Sequence, residues 1–423
     1  MSAKAENKLG SLSQDLAWRG LIKDRTCEDL EWLDQPRTFY LGIDASADSL
    51  TIGNLAVLML ARRFIDAGWQ AVLLAGGATS LVGDPGGKDE ERELKSREEI
   101  TANVEAVSQQ IEKLFQGQPH ELVNNLDWLA DLEHLDFLRD VGKHYSMTEL
   151  MQRDFVAARM GEGGSGISYA EFSYSLLQGY DFWRLFKDRD VELQIGASDQ
   201  WANMLSGVAL VRKKEAKEVQ ALSMPLVVDK ASGRKFGKSE AGAIWLDSAK
   251  TSPTGFYQFW INTDDADVEN YLKVFTLLPR EKIEAVMAKH QADTSSRKAQ
   301  KVLADEVTKL VHGDQHTDTA GDVTKYLTGQ VSIAEASGED LEKIRQEIPA
   351  VKAKAGTGII EVLVNSGLAS SNSDARRLLE SKAIYINGQP AASDSLKAED
   401  FQNGRLLLRR GKAHKDSAII ELG

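Results

Sequence analysis

With 423 residues, the chain exceeds the roughly 250–300 residues at which a single hydrophobic core stops growing, so two or three domains are expected. Hydrophobic residues at 42% and charged residues at 27% exclude a wholly disordered, collagen-like or coiled-coil chain. The net charge of −13 argues against a protein that coats nucleic acid without selectivity. That charge is uneven, because residues 352–423 hold 11 Lys+Arg against 8 Asp+Glu while everything before them is acidic, so the tail could meet a polyanion locally. No apolar run approaches the ~18 residues that cross a bilayer, and the polar start at Met1–Lys8 lacks a signal-peptide core, which predicts no membrane association and a cytoplasmic protein. The lone cysteine, Cys27, rules out an intramolecular disulfide or a cysteine-clustered zinc site and is expected to pack in the core.

The first ~230 residues alternate strand-like and helix-like segments, the pattern of an α/β domain with a parallel sheet. A strand is predicted at Thr38–Ile43, the following buried helix at Ile52–Phe64, and a second strand at Ala71–Ala75 running into the glycine-rich stretch Gly76–Lys88. Further strands are predicted at Leu122–Asn125, Val191–Gly196 and Leu222–Val228. From Ser252 the texture becomes helical, with Ala299, Leu303, Val307 and Leu310 spaced by three or four and Gly313 as a stop. A linker with one short helix is placed between Gly329 and Gly358. The tail reads as a small α+β unit with helices at Ile359–Asn365 and Ser373–Ser381 and a hairpin turn at Asn387-Gly388. The predicted division is 1–246, 247–328, a linker over 329–355, and 356–423.

Several chemistries are absent from the motifs. Gly83–Asp89 lacks the spacing and the Ser/Thr of a P-loop. His312 and His316 have zincin spacing, but Gly313 stands where the glutamate is required, so no protein-bound metal is predicted. No Gly-x-Ser-x-Gly elbow occurs.

Three stretches stand out. In Tyr40–Leu55 a strand passes through Gly42 and Asp44 and opens a helix at Thr51-Ile52-Gly53-Asn54, which suits a nucleotide-binding turn; glycine there serves tight strand-to-helix packing equally well. The loop Lys235-Phe236-Gly237-Lys238-Ser239 can bring two ammonium groups to a polyphosphate, or can be a solvated basic loop. Tyr174, Gln178 and Asp181 fall at i, i+4 and i+7 among Leu and Phe, either lining a pocket or forming a solvent face.

Together these stretches resemble the bacterial tyrosyl-tRNA synthetases, class I aminoacyl-tRNA synthetases, over essentially the full length. The strings that carry the resemblance are Tyr40–Asp44 with Ala47–Leu50, Gly76–Thr79 with Gly83–Pro85, and Phe172–Tyr174 with Leu177–Asp181. Leu193–Gly196 with Ser198–Trp201, the loop Lys235–Ser239 and Phe256–Asn262 extend it. Ser373–Leu378 followed by Ile384–Gly388 is similar to an S4-type RNA-binding domain.

The resemblance implies a Rossmann-like parallel-sheet catalytic domain, then an α-helical tRNA-contacting domain, then an S4-like domain. It implies activation of L-tyrosine with ATP to tyrosyl-adenylate, followed by transfer to the terminal ribose of tRNA(Tyr). By the match, Tyr40 and Asp181 would hold the substrate phenol, and Tyr174, Asp84 and Gln178 its ammonium, with Asn125 a further pocket residue. Gly42, Asp44, Ser46, Gly53, Asp199, Gln200 and Lys238 would bind ATP. Thr51 and Asn54, with Lys88, Arg92, Lys235, Lys238 and Ser239, would serve the phosphates during catalysis. Arg376, Arg377, Arg409, Arg410 and Lys412 are the RNA-binding candidates. ATP is a substrate, Mg²⁺ is expected with its phosphates, and a homodimer joined around Leu129–Met151 is implied.

The chain departs from the family pattern where the class signature is H-I-G-H. Here Thr51-Ile52-Gly53-Asn54 replaces both histidines, and Ser46 replaces the usual threonine. The alternatives are a synthetase for a related aromatic amino acid such as tryptophan, or a catalytically weak paralogue that acts by binding RNA.

Overall fold

The computed structural model describes residues 10–85, 94–161, 163–228, 236, 238–239, 242–411 and 416–423, the side chains of 154, 155, 158, 238 and 239 apart. The chain separates into two compact units, one of residues 1–247 with 265–288 and one of residues 248–264 with 289–423.

The first unit is built on a sheet of β1 (Asp24–Arg25), β2 (Thr38–Asp44), β3 (Gln70–Gly76), β4 (Glu121–Asn124), β5 (Val191–Ala197) and β6 (Gln220–Met224), in the order β1-β6-β5-β2-β3-β4. All neighbours are parallel except β1 against β6. Helix α1 (Leu12–Arg19) precedes the sheet, α2 (Ile52–Asp66) follows β2, α3 (Gly77–Val82) follows β3 and α4 (Arg97–Leu114) leads to β4. The predicted strand at Leu222–Val228 is shorter and shifted: β6 ends at Met224 because Pro225 follows and cannot donate to a ladder.

Strands β2, β3 and β5 read as apolar runs because both faces are covered. Phe39 on β2, Phe64 on α2 and Trp69 before β3 form one aromatic cluster with centroids 5.2–6.4 Å apart, all essentially buried. Each such ring contributes roughly 1.5–3 kcal/mol by leaving water. The chain runs from β2 outward to β3 and β4, and from β5 the other way to β6, so the order reverses between β2 and β5. A crevice is expected beyond the carboxyl ends of strands at such a reversal.

Residues 265–288 sit with the first unit, unlike in the sequence-based division, and buried arginines explain the attachment. Arg63 of α2 donates to the carbonyls of Lys273, Val274 and Thr276 (3.1, 3.5 and 2.6 Å), and Arg19 of α1 to those of Lys273 and Leu278 (3.0 and 2.7 Å). These are carbonyls at and just beyond the end of the helix Val268–Phe275, groups that the helix itself leaves without partners.

The second unit contains the helices Pro253–Ile261, Lys298–His312 and Asp314–Leu327, packed on one another. Gly313 separates the last two at φ +88°, so His312 and His316 do not share a continuous helix. A second sheet comprises β9 (Ala350–Ala353), β10 (Ile384–Ile386), β11 (Gln389–Pro390), β12 (Arg405–Arg410) and β13 (Ser417–Leu422), with the order β11-β10-β12-β13-β9; a further two-stranded pair, β7 (Lys238–Ser239) and β8 (Gly242–Ala243), lies in the first unit. The stretch read as a linker thus supplies the helix Gly338–Glu347 and the edge strand β9, which pairs in parallel with β13. Leu341, Ile344 and Ile348 are buried against Leu407 and Ile419, which accounts for its order. The tight turn at Asn387-Gly388 has positive φ at both residues, +47° and +82°, as a two-residue hairpin requires.

Candidate active site

The carboxyl ends of β2, β3, β4 and β5 deliver Asp44, Gly76, Asn124 and Ala197 to the crevice, and the long helix Tyr169–Arg189 crosses beside it. That helix starts at a reciprocal cap, Ser168 Oγ accepting from Glu171 N at 3.2 Å while Ser168 N donates to Glu171 Oε2 at 3.0 Å. Glu171 is also held by Arg159 through two hydrogen bonds of 2.5 and 3.0 Å.

The polar stripe on this helix faces inward. Tyr174 Oη donates to Asp44 Oδ2 at 2.8 Å, and Thr79 Oγ1 to Asp44 Oδ1 at 2.7 Å. Asp181 is 2% exposed and accepts from Asn125 Nδ2 at 2.9 Å and from Trp128 Nε1 at 2.8 Å. Asn125 also donates to Thr79 Oγ1 at 3.1 Å and accepts from Ala78 N at 2.8 Å, so one connected network runs from Asp44 to Asp181. Gln178 is half-buried on the same helix. On the other side, Asp84 accepts from Gln200 Nε2 at 2.6 Å, and Asn203 Nδ2 donates to Gln200 Oε1 at 3.2 Å.

Two close approaches depend on glycine. A Cβ at Gly76 would stand 2.5 Å from both Asp44 Oδ1 and Thr79 Oγ1, and one at Gly179 would stand 2.2 Å from Tyr145 Oη. Neither position tolerates a side chain without moving the groups that shape the site.

Burial dominates the electrostatics. Desolvation pushes the Asp181 carboxyl up to about 7; the hydrogen bonds from Asn125 and Trp128 oppose it, and the charge of Asp44 adds to it. Tyr40 and Tyr174 are pushed well above the ordinary phenol range, by burial first and then by Asp181 and Asp44 respectively, so both stay protonated. Tyr40 Oη and Gln194 Oε1 are buried and without a hydrogen-bond partner among the described residues. They lie on adjacent strands in direct register, Tyr40 opposite Gln194. Buried polar atoms are nearly always paired, so these two are candidates to meet a ligand's polar group.

The signature turn is folded on itself. Thr51 N and Thr51 Oγ1 both donate to Asn54 Oδ1 at 2.9 Å, which closes the first turn of α2. Gly42, Ser46 and Gly53 are exposed, as is Asp199 in the turn after β5. The chain following the lysine loop is stitched to this turn: Ile52 N donates to Ile244 O at 3.1 Å and Leu246 N to Leu50 O at 2.8 Å. Lys88, Arg92 and Lys235 lie outside the described residues, and only the backbone of Lys238 and Ser239 is described, in β7.

The sequence reading missed Trp128 and Gln194. Trp128 reaches Asp181 from the short helix Leu126–Leu129 after β4, a tertiary relation that nothing local announces. Gln194 carried a signal, a polar residue in the middle of an apolar strand. In the second unit, Arg376 and Arg377 are exposed on the helix Asn372–Glu380, with Arg377 paired to Asp374 at 2.8 Å. On β12, Arg409 lies over the Tyr385 ring at 4.8 Å, and Arg410 donates to Leu368 O at 2.9 Å. Lys412 lies outside the described residues. No group of three or more Asp, Glu, His or Cys side chains among the described residues is arranged to hold a metal ion.

A reversed parallel sheet with polar groups at the strand ends is an arrangement that class I aminoacyl-tRNA synthetases share, and residues 33–327 match the family model for class I tRNA synthetases (W and Y). Residues 340–415 match the model of the tyrosine–tRNA ligase SYY-like C-terminal domain. The chain is 43% identical over 413 residues to the tyrosine–tRNA ligase of Geobacillus kaustophilus, covering 95% of this chain and 97% of that protein. It is 42% identical over 426 residues to that of Neisseria meningitidis, covering 95% and 98%. Among solved structures, a C-terminally truncated mitochondrial tyrosyl-tRNA synthetase from Aspergillus nidulans is similar with a TM-score of 0.68 and 32% identity, covering 76% of this chain and 95% of that one. A tryptophanyl-tRNA synthetase from Encephalitozoon cuniculi shares the fold at 14% identity and a TM-score of 0.53. The chain belongs to the tyrosine–tRNA ligase family.

Proposed function

We propose that the chain activates L-tyrosine with ATP and then charges tRNA(Tyr). The observation that carries the tyrosine reading is the buried, unpartnered Tyr40 hydroxyl beside a buried carboxylate, Asp181. A substrate phenol fits there, accepting from Tyr40 and donating to Asp181. Phenylalanine would leave the Tyr40 hydroxyl buried and unpaired and would give Asp181 no donor from the ligand, the effect for which this family is the standing example. An indole lacks the oxygen that Tyr40 could donate to, which favours tyrosine over tryptophan.

Tyr174, Asp84 and Gln178 are assigned to the substrate ammonium, and Asn125 to fixing Asp181. Gly42, Asp44, Ser46, Gly53, Asp199 and Gln200 are assigned to ATP, where exposed glycines let a flat ligand approach backbone. In the first step a tyrosine carboxylate oxygen attacks the α-phosphorus of ATP, and the bond to the bridging oxygen breaks to release pyrophosphate. In the second, a hydroxyl of the terminal tRNA ribose attacks the acyl carbon and AMP leaves. Neither step demands a strong base, so positioning and stabilisation of phosphate charge carry the rate. Thr51, Asn54, Lys88, Arg92, Lys235, Lys238 and Ser239 are assigned that task, and Mg²⁺ enters with the ATP phosphates.

The helical segment within 247–328 and the S4-like 356–423 are assigned to tRNA, with Arg376, Arg377, Arg409, Arg410 and Lys412 as contacts. A homodimer in the cytoplasm completes the reading; Leu135 and Met147, 75% and 58% exposed within the expected interface, support it. The test of the pocket is Asp181→Ala: tyrosine affinity should fall at least tenfold with ATP binding changed less than twofold, and equal losses of both would refute the assignment.

A further inference from the structure

The second lysine-loop residue is not a spacer. Phe236 is 7% exposed, although residues on both sides of it are polar or glycine. Its ring lies 4.8 Å from that of Tyr271 and 5.1 Å from that of Phe275, stacked on the latter at an interplanar angle of 29°. Tyr271 and Phe275 themselves meet edge-on at 6.0 Å, so the two rings form a slot on one face of the helix Val268–Phe275. Phe236 N also donates to Val227 O at 3.3 Å.

The slot is held by the same element that carries the signature turn. Helix α2 is capped by Thr51, and Arg63 near its other end binds the carbonyls that terminate the slot helix. Arg63 is 6% exposed, so this tie is part of the core. The chain after the loop is bonded to Leu50 and Ile52 at the start of α2. Helix α2 therefore fixes the Thr51–Asn54 turn, the return of the loop and the seat of Phe236 in one frame.

We propose that Phe236 is a positioning residue for adenylation: seated between Tyr271 and Phe275, it sets where its chain neighbours Lys235 and Lys238 stand relative to the Thr51–Asn54 turn. Lys235 precedes Phe236 and Lys238 follows it by two in the sequence. The alternative is an aromatic core contact with no bearing on the reaction. The inference rests on the assignment of the two lysines to the phosphates.

The experiment measures single-turnover tyrosyl-adenylate formation, tyrosine affinity and thermal midpoint for Phe236→Ala, Phe236→Leu, Phe275→Ala and the Phe236→Ala/Phe275→Ala double variant, with Lys235→Ala and Lys238→Ala in parallel. Misplacing a catalytic group by about 1 Å costs on the order of 10²-fold. Phe236→Ala is expected to slow adenylation by at least about tenfold, with tyrosine affinity within twofold of the parent. Phe236→Leu should recover most of the rate, and the double variant should be less than twofold slower than Phe236→Ala. If the lysine variants are slow while Phe236→Ala keeps its rate, or loses rate and tyrosine affinity in proportion, the anchor is refuted and the lysine assignment stands. If the lysine variants themselves keep full rate, the lysine assignment fails and the anchor with it.

Discussion

Asn54 Oδ1 accepts two hydrogen bonds from Thr51, one from its backbone N–H and one from its hydroxyl, both at 2.9 Å. The two residues that replace the signature histidines are therefore bonded to each other and cap α2. A hydroxyl engaged in that way cannot donate to a phosphate at the same time. One preorganised donor is worth about 10²–10³ in rate. Thr51→His should raise the rate of adenylate formation several-fold in a pre-steady-state assay, and a rise below twofold would mean that the missing donor is supplied elsewhere.

Asp181 makes stability depend on pH in a stated direction. Its carboxyl titrates near 3.8 when unconstrained and is raised by burial to about 7 in the fold. Between those values the folded chain keeps a proton that the unfolded chain has released, so this group's contribution falls as pH rises from about 4 to about 7. Relative to Asp181→Asn, the parent should lose roughly 2 kcal/mol of stability between pH 5 and pH 7 in urea unfolding. Parallel pH profiles for the two proteins would show that Asp181 is not perturbed.

Trp128 steadies the charged form of that same carboxylate through a 2.8 Å hydrogen bond. Hydrogen bonds to charged groups contribute about 1.5–3 kcal/mol. Trp128→Phe should weaken tyrosine binding by about tenfold or more at pH 8 while leaving ATP affinity unchanged, as followed by equilibrium dialysis. An unchanged tyrosine affinity would reduce Trp128 to packing.

The arginines of the second unit differ in how far they are engaged. Arg376 and Arg377 are exposed, Arg377 with an ion pair to Asp374 on its own helix at 2.8 Å, whereas Arg410 is half-buried, bound to Leu368 O and paired with Asp416 at 3.5 Å. Replacing Arg376 and Arg377 with glutamine should weaken tRNA binding and lower the slope of log affinity against log salt by about 0.7–0.9 for each phosphate that is no longer neutralised. Arg410→Gln should change that slope less, and the reverse order would move the RNA surface to β12.

Much of the fold was legible because it is written in local pattern. The apolar runs around Phe39 and Leu73 mark strands covered on both faces, and the Leu/Ala-rich stretch after Thr51 marks a buried helix. The i, i+4, i+7 stripe identified an inward polar face, since Tyr174 and Asp181 are both buried. What stayed hidden depends on distant contacts. The ordering of 329–355 comes from Leu341 and Ile344 packing on strands some 65 to 75 residues later, at Leu407 and Ile419. Residues 265–288 join the first unit with Arg19 and Arg63 bound to their backbone, and no local pattern marks those two arginines as buried. Trp128 joins the candidate site through a contact with Asp181, 53 residues away in sequence, and Gln194, inside the string Leu193–Gly196, through its register with Tyr40.

The central claim is that this pocket activates tyrosine. Amino-acid-dependent exchange of labelled pyrophosphate into ATP, run in parallel with tyrosine, phenylalanine and tryptophan, tests it most directly. The account predicts exchange with tyrosine alone, with the Tyr40 hydroxyl, left unpaired by phenylalanine, rejecting it. No exchange with any of the three from folded protein, or exchange with tryptophan instead, would contradict it.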